Sequence, residues 1–176
     1  MKLILPWLLL CPFLTFSQSI NFRIGSCAEF TGETQDSIFY IVPNSEPDFF
    51  LWLGDNIYSN ESQWGDFKSM RMAYSARHST TAMEYFFDQI PIQYAIWDDH
   101  DFGKNDGGNE YIFKNSSKQL FLKYWKIPED DNRYQRDGLY FEKILNFEHG
   151  TVQILILDTR YFRSSLLKNQ KTVKNG

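Results

Sequence analysis

Read from the N-terminus, the chain alternates short apolar runs with polar loops, and the spacing inside each run predicts an element. Asn21 to Gly25 reads as a first strand ending at Ser26-Cys27. Ser37 to Val42 is a short apolar stretch closed by Pro43, enough for a helical turn or two. Asp48 to Leu53 is apolar after its first residue, the pattern of a strand buried on both faces, and Gly54-Asp55 stops it. Trp64, Phe67, Met70 or Arg71, and Tyr74 recur every three to four residues, which predicts an amphipathic helix over Gln63 to Arg77. A second helix over Thr81 to Phe87 ends before Pro91, and Gln93 to Trp97 makes another short buried strand. The run Asp98 to Asn109 is too rich in Gly, Asn and Asp to be regular. Ser117 to Trp125 suits a helix, and Leu139 to Phe147, a turn at His149-Gly150, and Thr151 to Leu157 make a hairpin. Strands interleaved with helices predict an α/β or layered α+β fold with helices packed on a sheet.

The first residues stand apart from this pattern. Met1-Lys2 is a short positive start, Leu3 to Phe16 is almost wholly apolar, and Ser17-Gln18-Ser19 offers a cleavage point, the three parts of a secretory signal. The apolar run falls short of the roughly 18 residues that a membrane span needs. Residues 1–17 therefore read as a signal peptide and residues 18–176 as one exported domain, periplasmic or extracellular, with no transmembrane segment after cleavage. A length of 176 residues agrees with one domain, since cores split only beyond about 250 residues. A net charge of -4 argues against a general nucleic-acid binder, which would need a basic face. The two cysteines exclude a disulfide-dense scaffold. Loss of the signal removes Cys11 and leaves Cys27 alone, as an intermolecular disulfide, a buried inert thiol or a metal-bound thiolate.

The candidate chemistry sits at the ends of the strands. Three of them finish in a burst of metal-capable side chains: Ser26-Cys27, then Asp55 with Asn56 and Tyr58, then Asp98-Asp99-His100-Asp101. Loops beyond the carboxyl ends of parallel strands gather on one edge of an open sheet, so the bursts are expected to converge. Each has a plainer explanation: Asp55 as a turn cap, Cys27 as an inert core thiol, the aspartate run as a solvated loop. A metal site explains all three at once, and the adjoining carboxylates of Asp98, Asp99 and Asp101 repel one another unless a cation neutralises them. A thiolate and a phenolate suit a transition metal such as iron, and clustered carboxylates a harder ion such as calcium, with Asp55 placed to bridge the two. Such a pair ionises a bound water and clamps an in-line phosphoryl displacement. That reaction needs an acid near the leaving oxygen, for which His100 is the candidate.

The strings Gly25-Ser26-Cys27-Ala28, Leu53-Gly54-Asp55-Asn56-Ile57-Tyr58, Trp97-Asp98-Asp99-His100-Asp101-Phe102-Gly103 with Asn105-Asp106, and Leu157-Asp158-Thr159-Arg160-Tyr161-Phe162-Arg163 occur here in an informative order. In that order they resemble the alkaline phosphatase D family (PhoD-like phosphatases) of the calcineurin-like metallophosphatase superfamily. The resemblance runs from about Phe22 to Arg163. It implies a layered α-β-β-α fold, a β-sandwich flanked by helices, in an exported enzyme that hydrolyses phosphomonoesters or phosphodiesters at an iron and calcium centre. Other divalent metals are compatible with the same ligands, and the implied substrate is a phosphate-ester small molecule or a phospholipid-type molecule. By resemblance Cys27 is the thiolate ligand to iron, Asp55 the bridging carboxylate, Tyr58 the phenolate ligand and Asp99 a further metal ligand. His100 matches the histidine that meets the phosphate and leaving group. Asn105, with Asp106, matches a motif without an assigned role and is taken as substrate-binding. Asp158 and Arg160 sit at a strand end, where a salt-bridged pair shaping the fold is preferred to a catalytic role.

The chain departs from the family in length. Family members continue beyond the Asp-Thr-Arg motif and draw further histidine and aspartate ligands from later strand ends, whereas this chain ends at Gly176. His78 and His149 match no such motif, so the resemblance implies an incomplete form that holds metal weakly and, alone, hydrolyses little aryl phosphate. A reading of another class is a non-catalytic secreted module or degenerate phosphatase, with Trp64, Tyr111 and Trp125 as a binding surface.

Overall fold

The computed structural model describes residues 19–29, 33–58, 65–148 and 150–166, with the side chains of residues 33–36 left out. The apolar runs read as strands pair as such: β1 (Phe22–Gly25), β2 (Phe49–Leu53) and β3 (Gln93–Ile96) form one parallel sheet in the order β1-β2-β3. The register sets Gly25 beside Trp52 and Leu53 beside Ile96, so the carboxyl ends of the strands finish together at one edge. Parallel neighbours need a crossover. Helix α1 (Glu33–Ile41) supplies the first, and α2 (Phe67–His78) with α3 (Thr81–Gln89) the second.

Alternation along β2 sorts the core. Phe50 and Trp52 face the crossover helices, where their rings lie 5.0 and 5.4 Å from that of Phe86 on α3, and Phe39 of α1 meets the same ring edge-on at 5.5 Å. Trp52 keeps its indole N–H satisfied by donating to Gln93 Oε1 at 2.7 Å. On the other face Phe49 stacks on Phe22 at 5.1 Å, while Ile24 and Leu53 stay exposed. A hairpin of β4 (Phe141–Phe147) and β5 (Gly150–Ile156) forms a separate antiparallel ladder, and Phe141 approaches Tyr94 of the parallel sheet at 6.3 Å. The fold is therefore mixed α/β, with helices against small sheets. Among the described residues no helix is long and apolar enough to cross a membrane. The segment read as a signal, residues 1–17, lies outside them, as does His149 of the predicted hairpin turn.

Helices α1 and α5 (Lys114–Tyr124) begin earlier than the sequence pattern predicts, at Glu33 and Lys114, and two other boundaries differ for local reasons. Helix α2 starts at Phe67 because the Asp66 carboxylate caps it, accepting the N–H of Lys68 at 3.0 Å and of Ser69 at 3.4 Å. Trp64, counted into that helix by spacing, lies outside the described residues. The run Asp98 to Asn109 holds a single helical turn, α4 (Asp99–Phe102), despite its composition. There the Asp101 carboxylate reaches back to the N–H of Asp98 at 3.2 Å, and fully buried Phe102 packs edge-on against Trp97 at 5.0 Å. The longer helix α5 packs on both α2 and α4.

Phe86 joins β2, α1 and α3 and is 1% exposed. Replacing it with alanine is expected to lower unfolding free energy by about 3–5 kcal/mol, measured by urea denaturation.

Candidate metal centre

The site begins with backbone. Past the ends of β1 and β2 the pairing continues for two more hydrogen bonds, Cys27 N–H to Gly54 O and Ala28 N–H to Asp55 O, both 3.1 Å. They hold Cys27 and Asp55 side by side. The backbone that achieves this is unusual, with positive φ at Cys27 (55°) after β1 and at Gly54 (103°) and Asp55 (53°) after β2. A glycine is required at Gly54, where an added Cβ would come within 2.5 Å of the Asp98 backbone nitrogen and Cβ. Cys27 and Asp55 lack that freedom, and a non-glycine residue held left-handed costs on the order of 1–3 kcal/mol. Such strain concentrates at functional sites.

Five of the six sequence-assigned residues meet around Asp55. Asp55, Asp99 and His100 each offer a ligand atom, and these atoms all lie within 4.8 Å of one another, a triad able to hold a metal ion. Asp55 Oδ2 accepts the Tyr58 hydroxyl at 3.3 Å and the exposed Cys27 thiol at 3.7 Å, while its Oδ1 accepts the His100 backbone N–H at 3.3 Å. The Tyr58 and His100 rings lie 4.3 Å apart, and His100 Nδ1 is buried with no hydrogen-bond partner among the described residues. Thiol, phenol, imidazole and two carboxylates make a donor set suited to a metal ion, and the orphaned imidazole nitrogen is a free lone pair or proton inside it. Asn105 stands apart, exposed, with its amide on Asp106 Oδ2 at 3.2 Å.

The electrostatics point the same way. Burial pushes the Asp55 carboxyl above its usual range, a shift opposed by the His100 N–H and reinforced by the charge of Asp99. Burial acts on Asp99 too, but the Asp106 N–H at 2.8 Å, the Arg160 guanidinium and His100 hold that carboxyl below the usual range. Neighbouring carboxyls driven in opposite directions resist carrying two negative charges together, a condition that a cation relieves. Burial, with the Cys27 and Asp55 side chains beside it, pushes the Tyr58 phenol up, so the phenol keeps its proton in the absence of a cation.

Neighbours in sequence serve a different purpose. Asn56 and Asp101, grouped by sequence with the metal-capable bursts, form a buried latch beneath the centre. The Asn56 N–H reaches both Asp101 oxygens at 3.0 Å, its amide donates to Asp101 Oδ2 at 3.2 Å and to Ile96 O at 3.0 Å, and Tyr74 OH reaches Asp101 Oδ1 at 3.4 Å. Complete burial lifts the Asp101 carboxyl to about 7. Arg77, lying over the Trp52 ring at 4.5 Å, donates to the Asn56 carbonyl and closes the latch against the core.

The expected Asp158–Arg160 pair is not formed. Asp158 is occupied by four N–H donors: the Trp97 indole at 2.9 Å, the backbones of Arg160 and Tyr161 at 2.9 Å each, and the Leu139 backbone at 2.7 Å. The Arg160 guanidinium turns instead to Asp98 and, at 3.9 Å, to Asp99 Oδ1. The available signal was the aspartate run itself, whose repulsion calls for a cation from elsewhere in the chain. Of the proposed aromatic surface, Tyr111 is buried at 6% exposure, Trp125 is half-buried and packs against Trp52 and Phe121 at 6.0 Å, and Trp64 lies outside the described residues. His78 has its ring tilted against those of Phe87 and Tyr124 at 4.6 and 4.5 Å, away from this cluster. A largely apolar cavity of about 590 Å³ between β1, β2 and α1 has Cys27 on its lining, together with Phe39, Phe50 and Trp52.

No protein-family model, curated protein or solved structure matches the chain.

Latch and centre are separable by mutation. Asp101→Ala strands the donors of Asn56, Asp98 and Tyr74, and is expected to lower unfolding free energy by about 2–4 kcal/mol. Asp55→Asn removes a carboxylate that the fold charges reluctantly, so the melting temperature of the metal-free protein should rise while stabilisation by added Mn²⁺ disappears. Differential scanning fluorimetry with and without Mn²⁺ reads both variants.

Proposed function

We propose that the chain carries the metal centre of an exported phosphoesterase, an alkaline phosphatase or phosphodiesterase of the PhoD-like kind, in the layered fold which that resemblance implies. The observation that carries this reading is the gathering of Cys27, Tyr58, Asp99 and His100 about Asp55, from the loops after three successive parallel strands. The order of the sequence motifs supports it independently. In this reading Cys27, Tyr58 and Asp55 hold a softer, iron-like cation, and Asp55 with Asp99 a harder, calcium-like one. When bound, such cations supply Lewis-acid stabilisation of phosphoryl charge and a water ionised near neutral pH.

The remaining work falls to the protein. Asp55, fixed by the His100 N–H and by the ladder at Ala28, keeps the donors in register. The His100 imidazole, steadied against the Tyr58 ring, is the group that hands a proton to the departing alcohol. The apolar cavity beside Cys27 gives an aryl or lipid-like alcohol room outside the charged cluster.

Reconstituted with excess iron, the protein is expected to hold it on elemental analysis, and Cys27→Ser to lose it. Aryl phosphate hydrolysis, even where slow, should require the metal and fall by about 100-fold or more on His100→Ala. Full iron content in Cys27→Ser, or turnover that survives chelation, overturns the reading.

A further inference from the structure

The phosphoesterase reading leaves the best-placed cation of the site without a task. The Arg160 side chain is 13% exposed and reaches into the loop between β3 and α4. Its Nε donates to Asp98 Oδ1 and its Nη2 lies 3.9 Å from Asp99 Oδ1, beyond hydrogen-bond distance. Its Nη1 is buried and has no partner among the described residues. A guanidinium binds best through two parallel N–H donors on one carboxylate or phosphate. Here the Nη1–Nη2 edge, the end of the fork, is without such a partner.

The surroundings fix everything except that edge. Asp158 accepts the Arg160 backbone N–H and is itself held by Trp97 and Leu139, so the main chain is pinned. On the far side of Asp99, Arg163 donates to the carbonyls of Asp106 and Gly107, and the Asp106 N–H in turn holds Asp99 Oδ2 at 2.8 Å. Asp99 thus has one oxygen committed to the backbone and the other 3.9 Å from the Arg160 guanidinium, with the Asp55 carboxyl beside it. That second oxygen is the one a metal ion can take.

We propose that Arg160 is a stand-in cation that becomes a phosphate clamp: it neutralises Asp98 and Asp99 in the metal-free protein, and turns its Nη1–Nη2 edge to a phosphate group once a metal ion occupies Asp99. The inference rests on the phosphoesterase reading and deepens it, because it makes metal loading the condition for phosphate binding. Without the metal, an incoming phosphate meets two carboxylates that already hold the Arg160 guanidinium, while that of Arg163 is committed to backbone carbonyls. With it, the charge on Asp99 is answered and Arg160, still tethered to Asp98 through Nε, is free at its fork. Linkage then requires metal and phosphate to raise each other's affinity by the same factor.

Calorimetric titrations of Mn²⁺ and of inorganic phosphate into the full chain and its Arg160→Met and Arg160→Lys variants test this, with circular dichroism as the check on folding. In the unsubstituted protein, Mn²⁺ is expected to tighten phosphate binding by about 10-fold or more. Arg160→Met should bind Mn²⁺ more tightly, by about 3-fold or more, because a competing cation is gone. The same variant, loaded with Mn²⁺, should bind phosphate about 10-fold or more weakly. Arg160→Lys keeps the charge without the fork, so its Mn²⁺ affinity should stay near that of the unsubstituted protein while phosphate affinity falls. A merely structural arginine would lower both affinities together, and that outcome overturns the proposal, as does unchanged phosphate affinity in the Mn²⁺-loaded variants. If Arg160→Met fails to fold, the Arg160→Lys comparison decides alone by the same criterion. Absence of Mn²⁺ binding in every protein overturns the metal-centre reading itself, and this inference with it.

Discussion

The buried contact between Asn56 and Asp101 is what the candidate centre depends on. It ties the loop after β2 to the turn after β3 through backbone and side-chain donors at 3.0–3.2 Å, with Tyr74 and Arg77 closing it from the helix side. Each member sits one or two residues from a group in the metal-capable cluster: Asn56 follows Asp55, and Asp101 follows His100. A latch this close to the site sets the loops' separation to within the give of a few hydrogen bonds. Gly54, wedged against Asp98, sets it from above. The centre is therefore carried by a rigid double seam between two loops, a better platform than either loop alone.

Above that seam the protein accumulates tension that a cation would relieve. Two adjoining carboxyls are displaced in opposite directions, a phenol is pushed to hold its proton, and two non-glycine residues stand in left-handed backbone conformations. None of these improves the stability of the chain by itself. Taken together they describe a triad that could hold a metal ion, whose positive charge would answer the carboxylates.

Much of this was legible along the chain, and the limits have physical causes. The runs Phe49–Leu53 and Gln93–Ile96 announce strands because a parallel strand buried on both faces has no polar positions to confuse the pattern. The bursts after them announce a site, since strand ends in a parallel sheet share an edge. What stayed hidden is the division of labour inside each burst. Asp55 and Asn56 differ by one position, yet one belongs to the cluster and the other to the latch, and only the direction of the loop decides. Long-range pairings were equally hidden: Arg160 reaches Asp98 and Asp99 across 62 and 61 positions, and no spacing rule distinguishes that from a local pair with Asp158. The turn at α4 was missed because its cap is a carboxylate three residues on, in a stretch whose Gly and Asn content suggested disorder of direction.

The level finish of β1, β2 and β3 has a consequence for the order of assembly. The donors Cys27, Asp55 and Asp99 are separated by 28 and 44 positions, so the unfolded chain holds no multidentate version of the site. Closing loops of that size around a free ion is entropically unfavourable, and a non-local parallel sheet forms slowly. Any metal capture by this triad would then follow sheet formation rather than nucleate it. An ion held there would act as a late lock on a finished scaffold, taken up where the chain folds.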